Sequence, residues 1–272
     1  MIDILQYGFM QRSFLAGILI AILCSVIGNF LVMRRLALIG DGLAHIAFGG
    51  LTIGLVTKVY PLATALLAAI FSVIAINELK SRAKLYGDTA IGVLFSAGLS
   101  VGAVILSMNK GFNIDIFSYL FGSLITVTNE DIFTILILGI VVLAVIGLLY
   151  KELLFISFDE ESAKASGIPV KVLDIVLLTA TAITVVVSMQ VVGILLVSSL
   201  IIIPTASALQ FAKGFKKTLV YSVIISVISV IAGLFLAFYL DIAAGGIIVL
   251  TTIIFFIFAV LLKKFFVSLK RE

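Results

Sequence analysis

Nine apolar runs take up most of this 272-residue chain, at about residues 14–33, 42–56, 61–77, 90–108, 132–150, 172–188, 191–211, 218–239 and 246–262. Crossing the hydrocarbon core of a bilayer takes about 20 helical residues. The bilayer offers no water to backbone N–H and C=O groups, so only helices or closed barrels cross it. Runs of this length read as helices, which makes the chain an all-α polytopic membrane protein. The second and third runs are short and interrupted by glycine, so the expected number of spans is eight or nine. Composition agrees: 63% of residues are hydrophobic and 12% charged, against about 45–50% and 25% in a soluble domain. Mean hydropathy is +1.36. No polar tract is long enough for a soluble domain, so residues 1–272 form a single transmembrane domain.

The net charge of +4 does not indicate a nucleic-acid partner, because the basic residues make no continuous face. They form short clusters between apolar runs: Arg34-Arg35 and residues 80–84, 213–217 and 263–271. The positive-inside rule assigns such clusters to cytoplasmic loops. With Arg34-Arg35 cytoplasmic, strict alternation puts 80–84, 151–171, 213–217 and the C-terminal tail on the same side. The N-terminus is then outside and the C-terminus inside. The outer connections are 57–60, 110–130, 189–190 and 241–245, with Lys58 and Lys110 as exceptions to the rule. Residues 1–12 lack the basic region and cleavage site of a secretory signal, so the first run is expected to persist as a span. Cys24 is the only cysteine, which excludes an intrachain disulfide and leaves it a small packing residue. No internal repeat stands out.

Two connections depart from simple loops. Residues 111–128, GFNIDIFSYLFGSLITVT, are too polar to span and too apolar for a plain loop; an outer interfacial or re-entrant helix is expected. Residues 155–174 are the longest charged stretch. Asp159, Glu160 and Glu161 open a helical segment, Gly167 stands at a natural C-cap, and Pro169 ends it. A short amphipathic helix at about 157–170 would serve as a docking element or surface anchor. The plain alternative is a solvated loop.

Nearly every charge lies in a loop. The exception is Asp41 with His45, the only histidine, in LIGDGLAHIAFGG. A charge inside a span costs about 2.5–3.5 kcal/mol on insertion scales, so the pair stands out. Its i, i+4 spacing puts both side chains on one helix face, about 5–6 Å apart. Imidazole and carboxylate both bind divalent zinc. A carboxylate orienting a histidine, or a proton relay, fits the same spacing. Gly40, Gly42, Gly49, Gly50 and Gly54 allow close helix approach. Asp241, in YLDIAAGG, could attract a cation or simply end a helix; Gln190, expected in a tight turn between two long spans, is a weaker candidate. Pro204 is expected to kink its helix, with Ser198, Ser199, Thr205 and Ser207 available to the freed backbone. The lone histidine and the lack of HExxH exclude a zinc metalloprotease, and without a GxxxxGK[ST] loop the chain is not an ATPase. A non-catalytic role is expected.

At these residues the sequence resembles the zinc/manganese permeases of the ABC transporter class (ABC-3 type). Five blocks carry the resemblance in the family's order: LVMRRLALIGDGLAHIAFGGLTIGL, SYLFGSLITVTNEDI, SFDEESAKASGIPVKVLD, VVGILLVSSLIIIPTASA and YLDIAAGGIIVL. The resemblance implies a vitamin B12-permease-like bundle, that of type II ABC importers; the B12 and siderophore permeases themselves are larger, with an extra N-terminal helix. It implies that Asp41 and His45 coordinate the transported metal, and that residues Asp159, Glu160, Glu161, Ala163 and Gly167 lie in the helix that docks on a cytoplasmic ATPase. The implied assembly is a homodimer with two ATPase subunits and an extracytoplasmic solute-binding protein, in a prokaryotic cell membrane, with no resident cofactor. The cargo is Zn2+ or Mn2+, and block 118–132 looks closer to the zinc branch. A proton-coupled secondary transporter is the rival; it needs no coupling helix.

Overall fold

The computed structural model describes residues 3–82, 87–108, 116–123 and 127–269. Among them are twelve α-helices and no strand. The helices are α1 (Gly8–Met33), α2 (Ile39–Thr57), α3 (Pro61–Ser81), α4 (Gly87–Met108), α5 (Ile116–Phe121) and α6 (Asn129–Leu148). Then follow α7 (Tyr150–Phe158), α8 (Glu160–Ala165), α9 (Val170–Val192), α10 (Val197–Ala208), α11 (Phe215–Leu240) and α12 (Ala244–Leu269). Eight of these, α1 to α4, α6, α9, α11 and α12, are long and apolar enough to cross a membrane. Local chemistry sets several ends. Pro61 starts α3, where its missing N–H costs nothing. Thr128 and Asp131 cap the α6 N-terminus reciprocally.

Contacts between distant residues fix which helix ends share a face. At the start of α1, Arg12 donates to the Val127 carbonyl just ahead of α6 (2.8 Å), and Tyr7 lies 5.9 Å from Phe238 near the end of α11. On the opposite face Arg34 binds Glu160 at 3.0 Å, the Tyr150 ring packs on Phe30 and Phe215, and Lys263 donates to Gln210 at 3.2 Å. The first helix thus begins on one face and the last ends on the other. The second face carries Arg34, Arg35, Lys151, Lys164, Lys171 and Lys263, which makes it cytoplasmic under the positive-inside rule. Lys84, Lys110, Lys270 and Arg271 lie outside the described residues.

The expected span at 191–211 is not one helix. The α9 helix runs through the anticipated turn at 189–190 and ends at Val192; Gly193 then takes φ +89, and α10 starts only at Val197. Twelve helical residues cover about 18 Å, too little for a bilayer, and the non-helical stretch completes the ninth crossing. Its amides are not wasted on hydrocarbon: Ile194 N–H donates to Tyr119 O (3.0 Å) and Leu195 N–H to Leu120 O (3.2 Å). Both acceptors belong to α5, the described part of the expected outer segment at 111–128; residues 111–115 and 124–126 lie outside the described residues. Sequence reading missed the break because the run is uniformly apolar, and the residues that satisfy it are over 70 positions away. Pro204 lies inside α10, freeing the Leu200 carbonyl. Ser198 donates to Asp41 and Ser207 to Ile203, so neither of these bonds serves Leu200.

The interior consists of α1, α2 and α9, whose spans are 67–72% buried against 22–33% for α3, α4, α6, α11 and α12. Helix α2 packs on α3, α4, α9 and α10. Lipid supplies no hydrophobic drive between helices, so small residues that admit close backbone contact matter most. At the α2–α4 crossing a Cβ on Gly98 would lie 2.6 Å from the His45 carbonyl oxygen, and one on Gly49 would lie 2.8 Å from that of Gly98. These neighbours are backbone and cannot swing aside. Gly98→Ala is expected to destabilise the purified protein by about 1–3 kcal/mol. Gly147→Ala, with nothing within 4 Å of the new carbon, is expected to change stability by under about 0.5 kcal/mol. Thermal unfolding in detergent compares the two; equal midpoints would contradict the crossing.

Candidate functional site

The hydrogen-bonded corner after α1 places Asp41 in the first turn of α2, where the partial positive charge of a helix N-terminus suits a carboxylate. One turn on, His45 Nδ1 lies 3.8 Å from Asp41 Oδ1 and 2.9 Å from the Asp41 backbone oxygen. A carbonyl only accepts, so the proton of that bond sits on Nδ1. In the neutral imidazole Nε2 then keeps its lone pair, the form in which the ring binds a cation. From α10, Ser198 Oγ donates to Asp41 Oδ1 at 3.3 Å, and from α4 the Phe95 ring stands 4.1 Å from the imidazole. The histidine side chain is 7% exposed and the aspartate 36%, so the pair is walled by protein behind His45 and open beside Asp41. Among the described residues no three His, Cys, Asp or Glu side chains come together. Among the described residues a single chain thus offers two strong donors here.

Asp241 is not brought to this pair. Asp241 caps α11 in left-handed conformation (φ 52) and is exposed, on the outer face. Gln190 lies in the last turns of α9 rather than in a turn between spans; its side chain lies outside the description.

On the cytoplasmic face the segment expected as one helix at about 157–170 is divided: α7 ends at Phe158 and α8 spans only Glu160–Ala165. Asp159 caps it, accepting from Ser162 N–H at 2.9 Å, and the hydrogen bonds from Ser162 hold the Asp159 carboxyl below the usual carboxylate range. The C-terminus closes with Gly167 N–H on Lys164 O and Ile168 N–H on Ala163 O, both near 3.0 Å, a Schellman closure that needs the positive φ of Gly167. Ala163 is fully buried while residues 158–162 and 164–167 are exposed. The segment is a pedestal with one small residue anchoring it. Glu160 accepts from Lys164 at 2.6 Å and from Arg34 at 3.0 Å. The Lys164 hydrogen bond foremost, then the charges of Lys164 and Arg34, hold its carboxyl below the usual range against partial burial.

Comparison with known proteins places this architecture. The model of the ABC 3 transport family matches residues 6–263. The chain belongs to the ABC 3 transport family. Within it the chain is similar to the manganese transport system membrane protein MntC of Halalkalibacterium halodurans, at 32% identity over 91% of this chain and 85% of that one. It is similar to the high-affinity zinc uptake system membrane protein ZnuB of Haemophilus influenzae at 32%, over 88% and 92%. Among solved structures, PsaBC from Streptococcus pneumoniae in complex with Fab superposes with TM-score 0.86 at 30% identity, covering 95% of this chain and 93% of that one.

Reading the sequence of this ABC 3 chain missed three contributors. Ser198 was assigned to the Pro204 backbone and instead meets Asp41; Phe95 carried no signal in an apolar run. Arg34 counted only as a loop charge, yet its side chain is 5% exposed and bound to Glu160 and Asp174. Because His45 is the sole histidine, labelling histidine with 15N reports one residue. In the neutral ring the nitrogen spectrum is expected to show Nδ1 protonated and Nε2 bare; a neutral ring with its proton on Nε2 would overturn the assignment.

Proposed function

We propose that this protein is the permease subunit of an ATP-driven importer of divalent metal ions, with Asp41 and His45 as ligands in the transport path. What carries the reading is the placement of the only histidine, with Nε2 free, over a carboxylate within a bundle whose family relatives are named for manganese and zinc transport. The permease is not itself catalytic; a separate cytoplasmic ATPase supplies the work. The segment holding Asp159, Glu160, Glu161, Ala163 and Gly167 is the contact for that ATPase, with the exposed residues Asp159, Glu160, Glu161 and Gly167 meeting it and buried Ala163 anchoring it to the bundle, and an extracytoplasmic binding protein delivers the ion. The exposed α8 pedestal is a feature that a proton-coupled secondary transporter would not need, so that alternative draws no support.

Two donors make an incomplete shell. A twofold homodimer that juxtaposes the open sides of two sites would supply two Asp41 and two His45, four N/O ligands suited to tetrahedral coordination. The 36% exposure of Asp41 in the single protomer leaves room for this. Zinc is proposed ahead of manganese because imidazole with carboxylate is a common zinc donor set. The equal 32% identities to a manganese and a zinc permease do not rank the ions.

Uptake of Zn2+ and of Mn2+ into proteoliposomes holding the complete complex tests the site. Asp41→Ala and His45→Ala are each expected to lower uptake at least about tenfold, since removing a metal ligand or its orienting partner costs about 10- to 100-fold, with complex assembly intact. Wild-type uptake by both variants would refute the site. Separately, Glu161→Arg, at an exposed position of α8, is expected to reduce the ATPase retained by purified permease; undiminished retention would remove α8 as the contact.

A further inference from the structure

Arg34 ends α1 as its C-cap and has a nearly buried side chain, 5% exposed. Its guanidinium is shared between Glu160 of α8, at 3.0 Å, and Asp174 in the first turns of α9. These partners are 126 and 140 residues away in sequence. Among the described residues α8 packs only on α7 and α9, so the Arg34–Glu160 bond is the direct tie of α8 to α1. The backbone beside Arg34 is stiff. Arg35 takes φ +57, Leu36 N–H closes on Leu31 O at 2.8 Å, and Ile39 N–H closes on Leu36 O at 3.1 Å. That corner opens α2, and Asp41 follows seven positions after Arg34.

We infer that Arg34 is a positioning residue that transmits displacement of α8 through this corner to α2, and so to Asp41 and His45. A planar, forked guanidinium can hold two carboxylates at once, whereas a lysine ammonium is a single point charge on a flexible stem. Movement of α8 therefore acts on α9 and on the α1–α2 corner together. The guanidinium is the buried end of the link, Glu160 being 44% and Asp174 24% exposed, and a charge with so little exposure does not leave its partners without penalty. The inference rests on the proposed role of α8 as the ATPase contact and adds the route by which that contact reaches the ion ligands.

The test uses the complete complex of permease, ATPase and binding protein in proteoliposomes, supplied with ATP and Zn2+ or Mn2+, and reads ions moved per ATP hydrolysed. In Arg34→Gln the ratio is expected to fall about 3- to 30-fold, the range of coupling changes along such links, with assembly and ATP hydrolysis kept. Arg34→Lys is expected to restore part of it and Asp174→Asn to lower it less than Arg34→Gln. The double variant Arg34→Gln/Asp174→Asn is expected to be no worse than Arg34→Gln alone, as partners in one network are non-additive. An unchanged ratio in Arg34→Gln, or uptake and hydrolysis falling in proportion, overturns the inference. Should Arg34→Gln not assemble, Arg34→Lys and Asp174→Asn decide by the same ratio. A wild-type complex that moves neither ion refutes the permease reading instead, whereas a transporting wild type with unaffected variants refutes only the link.

Discussion

Every backbone donor and acceptor at membrane depth needs a protein partner, because hydrocarbon offers none. That constraint explains the long regular helices and also how the chain manages the break inside the apolar run at 191–211. At Gly193 the chain leaves α9, and the next amides find acceptors on Tyr119 and Leu120 rather than in their own helix. The break is possible only because α5 is docked beside it. The short α10 that follows places Ser198 against Asp41, so the interruption also shapes the candidate ion site.

Close packing in lipid depends on shape rather than on expulsion of water. Helix α2 is lined with small residues and accordingly lies between α3, α4, α9 and α10. The helix richest in glycine is the one that carries the ionisable pair. Its glycine contact with α4 brings that helix's backbone to the His45 carbonyl, while Phe95 covers the ring. Only the Asp41 side remains partly open, and that asymmetry motivates a site completed by a second copy. At the other end of the corner, Arg34 joins α1, α8 and α9 through charge. The Asp41–His45 pair and α8 are thus joined through the α1–α2 corner and the Arg34 ion pairs while lying far apart in sequence.

The sequence by itself determined what depends on local composition and short spacing. It specified a polytopic helical bundle, its orientation, the Asp41–His45 spacing of one helical turn, and a short helical segment opened by Asp159, Glu160 and Glu161 and closed at Gly167. Each follows from residues within a few positions of one another or from the hydropathy of a run. Only the tertiary structure decided the interruption at 193–196, the meeting of Ser198 and Phe95 with the pair, and the burial of Arg34 between two carboxylates. Those features come from contacts across 50 to 157 residues, where apolar runs are interchangeable and an arginine beside a membrane reads the same whether it faces water or clamps three helices.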